Sequence, residues 1–185
     1  RGKENNRILP KPLLLKTPDH FSKTSVRAFH AGKKPREIPS CLKEEGLWEN
    51  TIVLFTTDHG IANPFSKCTL FDSGIGVALM MYVPGAKGNG KVMDQLVSHV
   101  DVFPTLCELL DLEKPDYLEG VSLVPLLKGG NEPVRTDIFA EINFHTSYEP
   151  ARCVRTERYK YICYYDTDYL RTNLSNIDES GTKDY

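Results

Sequence analysis

The distribution of apolar residues along the chain changes character near residue 47. Before that point apolar positions are scattered and broken by Pro10, Pro12, Pro18, Pro35 and Pro39. Neither a two-residue nor a 3.6-residue period is sustained, so the stretch reads as loop. Its end is clearer: Leu42-Lys43-Glu44-Glu45-Gly46-Leu47 reads as the last turn of a helix with Gly46 as its C-cap. After a turn at Glu49-Asn50, residues 51–57 form an unbroken β-branched and apolar run. A run that is apolar on both faces suits a central strand of a parallel sheet covered by helices. Residues 77–83, closed by Pro84-Gly85, suit a second buried strand.

A helical pattern follows. Ser98 and Asp101 are candidate N-terminal caps, and Pro104 is tolerated in a first helical turn. Val102, Leu106, Leu109 and Leu110 fall at i, i+4, i+7 and i+8, one face of an amphipathic helix that ends before Pro115. Residues 138–142 read as a short strand. Residues 152–156 and 159–165 flank Glu157-Arg158 as a hairpin. In it Tyr159, Tyr161, Cys163 and Tyr165 share one face, and Lys160, Ile162 and Tyr164 the other. This order, strand, long loop, strand, helix and strands, predicts an α/β layer followed by a small antiparallel piece. The expected division is a poorly structured segment at 1–46, a core portion at 47–130 and a small subdomain at 131–185.

Composition narrows the class. With 40% hydrophobic and 26% charged residues, the 185-residue chain has globular composition. A net charge of −2 points away from nucleic acid as a partner. The first 46 residues carry eleven Lys and Arg against five Asp and Glu, which reads as a solvated basic segment. No apolar run approaches the roughly 20 residues of a membrane helix, so no membrane partner is expected. Leu13-Leu14-Leu15 is too short for a signal-peptide core. Cys41, Cys68, Cys107, Cys153 and Cys163 contain no C-x-x-C pair and are expected as reduced thiols, which suits a cytoplasmic compartment.

Candidate chemistry gathers after the first strand. Asp58-His59-Gly60 stands at its carboxyl end, where ligands collect in open α/β sheets. A carboxylate beside an imidazole offers oxygen and nitrogen ligands to a divalent cation that organises an anionic substrate. The competing reading is an Asp capping the next turn beside a surface His. Lys67, in the following loop, has the charge to neutralise an oxyanion; the competing reading is an exposed loop lysine. Ser73-Gly74 and Gly76 mark a tight backbone passage before the second strand.

These segments resemble, in order, those of the sulfatases of the alkaline phosphatase superfamily. Residues 46–60, ending in Thr56-Thr57-Asp58-His59-Gly60, resemble the family's strand and metal loop. Lys67-x-Thr69-x-Phe71-Asp72-x-Gly74, Val97-Ser98-His99-Val100-Asp101-Val102-Phe103-Pro104-Thr105-Leu106 and Glu119-Gly120-Val121 through Leu127 resemble the segments that follow. Cys153-Val154-Arg155-Thr156-Glu157-Arg158-Tyr159-Lys160-Tyr161-Ile162 resembles the opening of the small C-terminal sheet. Phe139-Ala140-Glu141 with Phe144-His145 looks nearest to the heparan N-sulfatase-like and arylsulfatase-like branch.

The resemblance implies an α/β fold, here a partial alkaline-phosphatase-like sheet with helices plus a small C-terminal antiparallel sheet. It implies hydrolysis of sulfuric esters or sulfamates on a sulfated carbohydrate or small sulfate ester. It places Asp58 and His59 as late ligands of a divalent cation, Ca2+ by type, and Lys67 as the lysine that contacts the sulfate group. Many sulfatases have Asn where this chain has His59. His145 is a candidate for the substrate pocket or an ordinary edge histidine. Arg152 and Arg155 are candidates for contacting an anionic sugar, or solvated or paired strand arginines. His99 is expected to be structural.

The family's nucleophile, a Cys or Ser in a C/S-x-P-x-R setting matured to formylglycine, has no counterpart in this sequence. The early paired aspartates of the metal site have none either. The expectation is therefore a C-terminal sulfatase portion, inactive alone. Two other readings stay open: a phosphodiesterase or phosphatase of the same superfamily, and a non-catalytic module that binds sulfated glycans through Lys67, His145, Arg152 and Arg155.

Overall fold

The structure, a computed structural model, describes residues 37–145 and 148–166. Of the segment read as poorly structured, residues 1–36 lie outside the described residues. Residues 37–46 form helix α1 (Glu37–Glu44) and its cap. Leu47 N donates to Leu42 O (2.8 Å) and Gly46 N to Lys43 O (3.1 Å), with Gly46 at φ +66°. That is a Schellman ending, and it requires the left-handed backbone that glycine adopts without a Cβ penalty. Leu42 is buried beneath it.

A 3-10 turn at Trp48–Asn50 leads into β1 (Val53–Thr56). Trp48 stacks on Tyr82 of β2 (Leu79–Tyr82), with ring centroids 4.0 Å apart. Both strands lie where the apolar runs place them, but their pairing corrects the expectation. They run antiparallel, with Val53 opposite Tyr82 and Thr56 opposite Leu79. Among the described residues this sheet has two strands. Its apolar side chains are only partly covered: Val53, Leu54 and Phe55 are half-buried, and Met80 is 57% exposed. A run that is apolar on both faces reports that both faces need cover. It carries no information on the direction of the neighbouring strand.

The connection from β1 to β2 curls through the short helix α2 (Asp72–Ile75). After β2 the chain reaches a 3-10 turn at His99–Asp101, which opens helix α3 (Val102–Leu109). The capping box between Ser98 and Asp101 is present. The buried positions of α3 differ from the apolar stripe read from sequence. Pro104, Thr105, Cys107 and Leu110 are buried, whereas Val102, Leu106 and Leu109 are half-buried. Thr105 goes inside because its hydroxyl is fully used: it donates to Asp101 O (2.5 Å) and accepts from Leu123 N (2.8 Å). That bond seats helix α4 (Val124–Leu127), an element the periodicity does not reveal. Val124, Leu126 and Leu127 are buried there, each stabilising the fold by about 1.5–3 kcal/mol.

Beneath α3 sits a buried ionic node. Asp101, 0% exposed, accepts from Ser98 N (2.8 Å), Val121 N (2.9 Å) and Arg135 Nε (3.0 Å), and a second guanidinium nitrogen of Arg135 bonds its other oxygen. Three chain segments far apart in sequence converge on one carboxylate.

The small subdomain is a three-stranded antiparallel sheet in the order β3 (Asp137–Phe144), β4 (Tyr148–Thr156), β5 (Lys160–Tyr164). The hairpin turn at Glu157-Arg158 is as read, closed by Thr156 N donating to Tyr159 O (2.7 Å). Register gives one inner face of Ala140, Cys153 and Ile162, then Ile142, Ala151 and Tyr164. Leu70 and Ile75 pack onto it from the β1–β2 connection. Tyr159, Tyr161 and Tyr165 stay exposed, on the face assigned to them from alternation. The start of β4 is harder to read, because Pro150 lies in this central strand. The register shift between Ile142 and Phe144 lies opposite it, and a bulge is where a residue without an N–H fits a ladder. None of the five cysteines is in a disulfide, and among the described residues no helix is long and apolar enough to cross a membrane.

Candidate active site

Asp58 and His59 leave the carboxyl end of β1 pointing into solvent, with side chains 86% and 42% exposed. Their geometry is specific all the same. His59 Nδ1 lies 2.7 Å from Gly60 O, and a carbonyl only accepts, so Nδ1 carries the hydrogen. In the neutral ring, Nε2 then holds its lone pair, 3.5 Å from Asp58 Oδ2. The other carboxylate oxygen accepts from His59 N (3.1 Å). A ring held at one nitrogen by a carbonyl and presenting the other beside a carboxylate is how a metal-ligating histidine is oriented.

As a test of fit for a Ca2+-type ion, these two donors suit the charge and hardness required, but a hard cation takes six to eight ligands. Among the described residues no group of three or more His, Cys, Asp or Glu side chains could hold a metal ion. The pair is a partial ligand set.

Gly60 fixes how this strand end meets the rest of the loop. Its N–H donates to Gly74 O (2.9 Å), and a Cβ placed on it would stand 1.8 Å from Ser73 O. Gly74 is as crowded: a Cβ there would meet Ser66 O and Thr69 O, both at 2.4 Å. The tight passage read at Ser73-Gly74 is therefore a backbone-on-backbone contact beneath Asp58. The loop between curls back: Lys67 N donates to Ile61 O (3.0 Å), returning the lysine to the region of the strand end. Phe65 (φ 59°) and Cys68 (φ 62°) flank Lys67 in the left-handed region, a strained backbone for side-chain-bearing residues. Lys67 itself is half-buried.

Cys68 stands next to Lys67 in this loop. Burial pushes its thiol up from the ordinary value, Lys67 pulls it down by less, and Glu149 adds to the rise. A thiol is a poor nucleophile while protonated. Glu149, at the start of β4, is thereby in electrostatic range of this loop, a neighbour that the sequence does not announce.

The other candidate residues are dispersed. His145 is exposed at the end of β3. Arg152 pairs with Glu141 directly across the β3–β4 ladder, Nε to Oε2 2.9 Å, and approaches the Tyr165 ring at 5.9 Å. Arg155 lies on the opposite face of β4, because three residues of strand invert the side chain. Arg152 and Arg155 therefore do not present one anion-binding surface. Arg155 reaches Asp72 at 3.8 Å and lines a cavity of about 540 Å³ with Asp72, Leu79, His99 and Phe139.

Asp72 draws no attention as an isolated residue of the sequence, yet it joins the loop to the small sheet. Lys160 Nζ donates to Asp72 Oδ1 (2.6 Å) and to Leu70 O (2.7 Å). The Lys160 hydrogen bond, opposed by partial burial and aided by the charges of Lys160 and Arg155, holds the Asp72 carboxyl below its ordinary range. A depressed carboxyl contributes stability that is present at neutral pH and is lost as pH falls through the lowered value. The lysine-bearing loop is thus latched to β5 at working pH.

A family model described as "N-sulphoglucosamine sulphohydrolase, C-terminal" matches residues 58–178. Arylsulfatase K of Canis lupus familiaris is 33% identical over 155 residues, which is 76% of this chain and 28% of that protein. A solved structure of a protein in complex with its substrate D-glucosamine-2-N,6-O-disulfate aligns with a TM-score of 0.64 at 22% identity, over 71% of this chain and 29% of that one. At that identity the likeness shows the fold. A solved 2-O GAG sulfatase aligns with a TM-score of 0.58 at 29% identity, over 70% of this chain and 31% of its own. The chain spans about three tenths of the length of each of these relatives.

Proposed function

This chain belongs to the sulfatase family, through its N-sulphoglucosamine sulphohydrolase C-terminal match, and on that premise we propose that it supplies part of a metal-dependent site for sulfuric ester or sulfamate hydrolysis on sulfated carbohydrate. The observation that carries the reading is the orientation of His59. Its Nδ1 is committed to Gly60 O and its Nε2 stands beside Asp58 Oδ2, at the carboxyl end of β1. The cation, when bound, supplies Lewis-acid stabilisation of the sulfuryl oxygens. Asp58 and His59 would supply two of its ligands. Lys67, returned to the strand end by its loop, neutralises charge on the sulfate. The neighbour crystallised with a sulfated glucosamine supports a sulfated carbohydrate as ligand.

The attacking group of a sulfatase is supplied by a C/S-x-P-x-R segment, and this sequence has none. Positioning and electrostatics without a nucleophile give little rate. The isolated chain is therefore expected to show no arylsulfate turnover above buffer. It should bind calcium only weakly, with half-saturation at about millimolar, the range of the weakest natural sites. Calorimetric titration with an Asp58→Ala control checks the second point. Micromolar affinity that survives in Asp58→Ala would refute the assignment of Asp58 and His59, and robust turnover would refute the assignment of roles. A purely glycan-binding module is less well supported, because Arg152 is committed to Glu141 on the face opposite Arg155.

A further inference from the structure

The carboxyl end of β1 is supported from outside its own loop and strand pair by His99. Thr56, the last residue of β1, donates its hydroxyl hydrogen to Ala78 O (2.8 Å). A threonine hydroxyl has one hydrogen, so towards His99 it accepts. His99 Nε2, 2.7 Å away, is the donor. Thr57 N donates to the same Ala78 carbonyl at 3.3 Å, so the strand end and β2 are knotted where the imidazole arrives.

The base from which His99 reaches is rigid. It sits in the 3-10 turn His99–Asp101, closed by the Ser98–Asp101 capping box. Asp101 is fully buried and held by Ser98, Val121 and Arg135. The backbone of this turn therefore joins the buried node to His99, and one short hydrogen bond joins His99 to Thr56, two residues before Asp58.

We infer that His99 is a positioning residue for the Asp58–His59 ligand pair: its Nε2–H bond to Thr56 ties the end of β1 to the Asp101 node and so fixes where the carboxylate and imidazole stand. His99 does not touch a ligand; it acts through Thr56. The functional weight of this inference rests on the reading of Asp58 and His59 as metal-facing groups; the tether itself is tested independently.

The test is residue-resolved amide hydrogen exchange on the chain, with three variants. His99→Leu removes the donor, Thr56→Val removes the acceptor, and His99→Gln keeps an amide N–H to offer. Exchange at Thr57, His59 and Gly60 is expected to speed by about fivefold in His99→Leu, the factor corresponding to one net hydrogen bond. Thr56→Val, which also loses the bond to Ala78 O, should speed it at least as much, the double variant should add nothing beyond Thr56→Val, and His99→Gln should stay near wild type. Amides of Cys107 and Leu110 in α3 serve as the control and should not change. Unchanged exchange at Thr57, His59 and Gly60, or an equal rise in α3 that marks a general loss of stability, overturns the inference. Calcium-induced shifts at Asp58 and His59, recorded alongside, should need more calcium in His99→Leu than in wild type. If wild type shows no such shifts, the metal reading fails while the exchange result still decides the tether.

Discussion

Replacing Asp101 by alanine is expected to remove about 3–5 kcal/mol of folding stability, enough to leave much of a marginally stable domain unfolded. Alanine strands the Arg135 guanidinium and the N–H groups of Ser98 and Val121 in a site where the carboxylate they shared is 0% exposed. Arg135→Met should cost nearly as much, since it leaves a carboxylate buried without its counter-charge. The informative comparison is the double variant Asp101→Leu with Arg135→Met. Removing both charges leaves no buried charge unpaired, although the Ser98 and Val121 N–H groups still lose their acceptor, so it should lose less than Asp101→Ala. Urea unfolding monitored by circular dichroism measures all three. Losses below about 1 kcal/mol for the single variants would mean that the node carries little, in the range of an ordinary surface pair.

The second large effect is expected from Gly60→Ala. The added methyl meets Ser73 O at 1.8 Å and Gly74 Cα at 3.1 Å, and all of these neighbours are backbone. No side chain can swing aside, so the strand end and the Ser73–Gly74 passage must separate and the Gly60 N–H to Gly74 O bond is lost. Overpacking of this kind costs about 1–3 kcal/mol, and a backbone obstacle places it at the upper end. The change should be local: amide shifts over residues 58–75, with α4 and the small sheet retained. Calcium-induced shifts at Asp58 and His59 should disappear even where the variant remains folded. A Gly60→Ala chain with native stability and native shifts in that loop would contradict the close packing on which the site depends.

What the sequence discloses and what it withholds divide along a physical line. Features set by neighbours in the chain are readable. The Gly46 ending of α1, Ser98 as an N-terminal cap, the turn at Glu157-Arg158 and the alternation in β5 each depend on residues within a few positions of one another. The family order is readable too, because the motifs run in sequence. Features set by partners far along the chain are not. Asp101 is recognisable as a cap, but Arg135, 34 residues on, is not recognisable as its counter-ion. Asp72 and Lys160 are joined only once β5 is docked, and Glu141 finds Arg152 only through the β3–β4 register. The direction of β2 against β1 departs from the parallel expectation, because apolarity on both faces reports cover and not orientation. The inner face of α3 is displaced for a related reason: the hydroxyl of Thr105 is worth burying only because Leu123 N arrives to bond it. Dispersal of the basic candidates follows from strand geometry. Arg152 and Arg155 look like a pair in the sequence, and an odd spacing sends them to opposite faces.

The central proposal is that the Asp58–His59 pair and the Lys67 side chain act on one bound group at the end of β1. Paramagnetic broadening by Mn2+, substituted for calcium as a hard divalent probe, reads this directly. The account predicts that sub-stoichiometric Mn2+ broadens the His59 ring signals and the Lys67 side-chain signals together, and that both effects vanish in Asp58→Ala. Broadening of His59 with Lys67 left sharp would put the ammonium elsewhere and contradict the account.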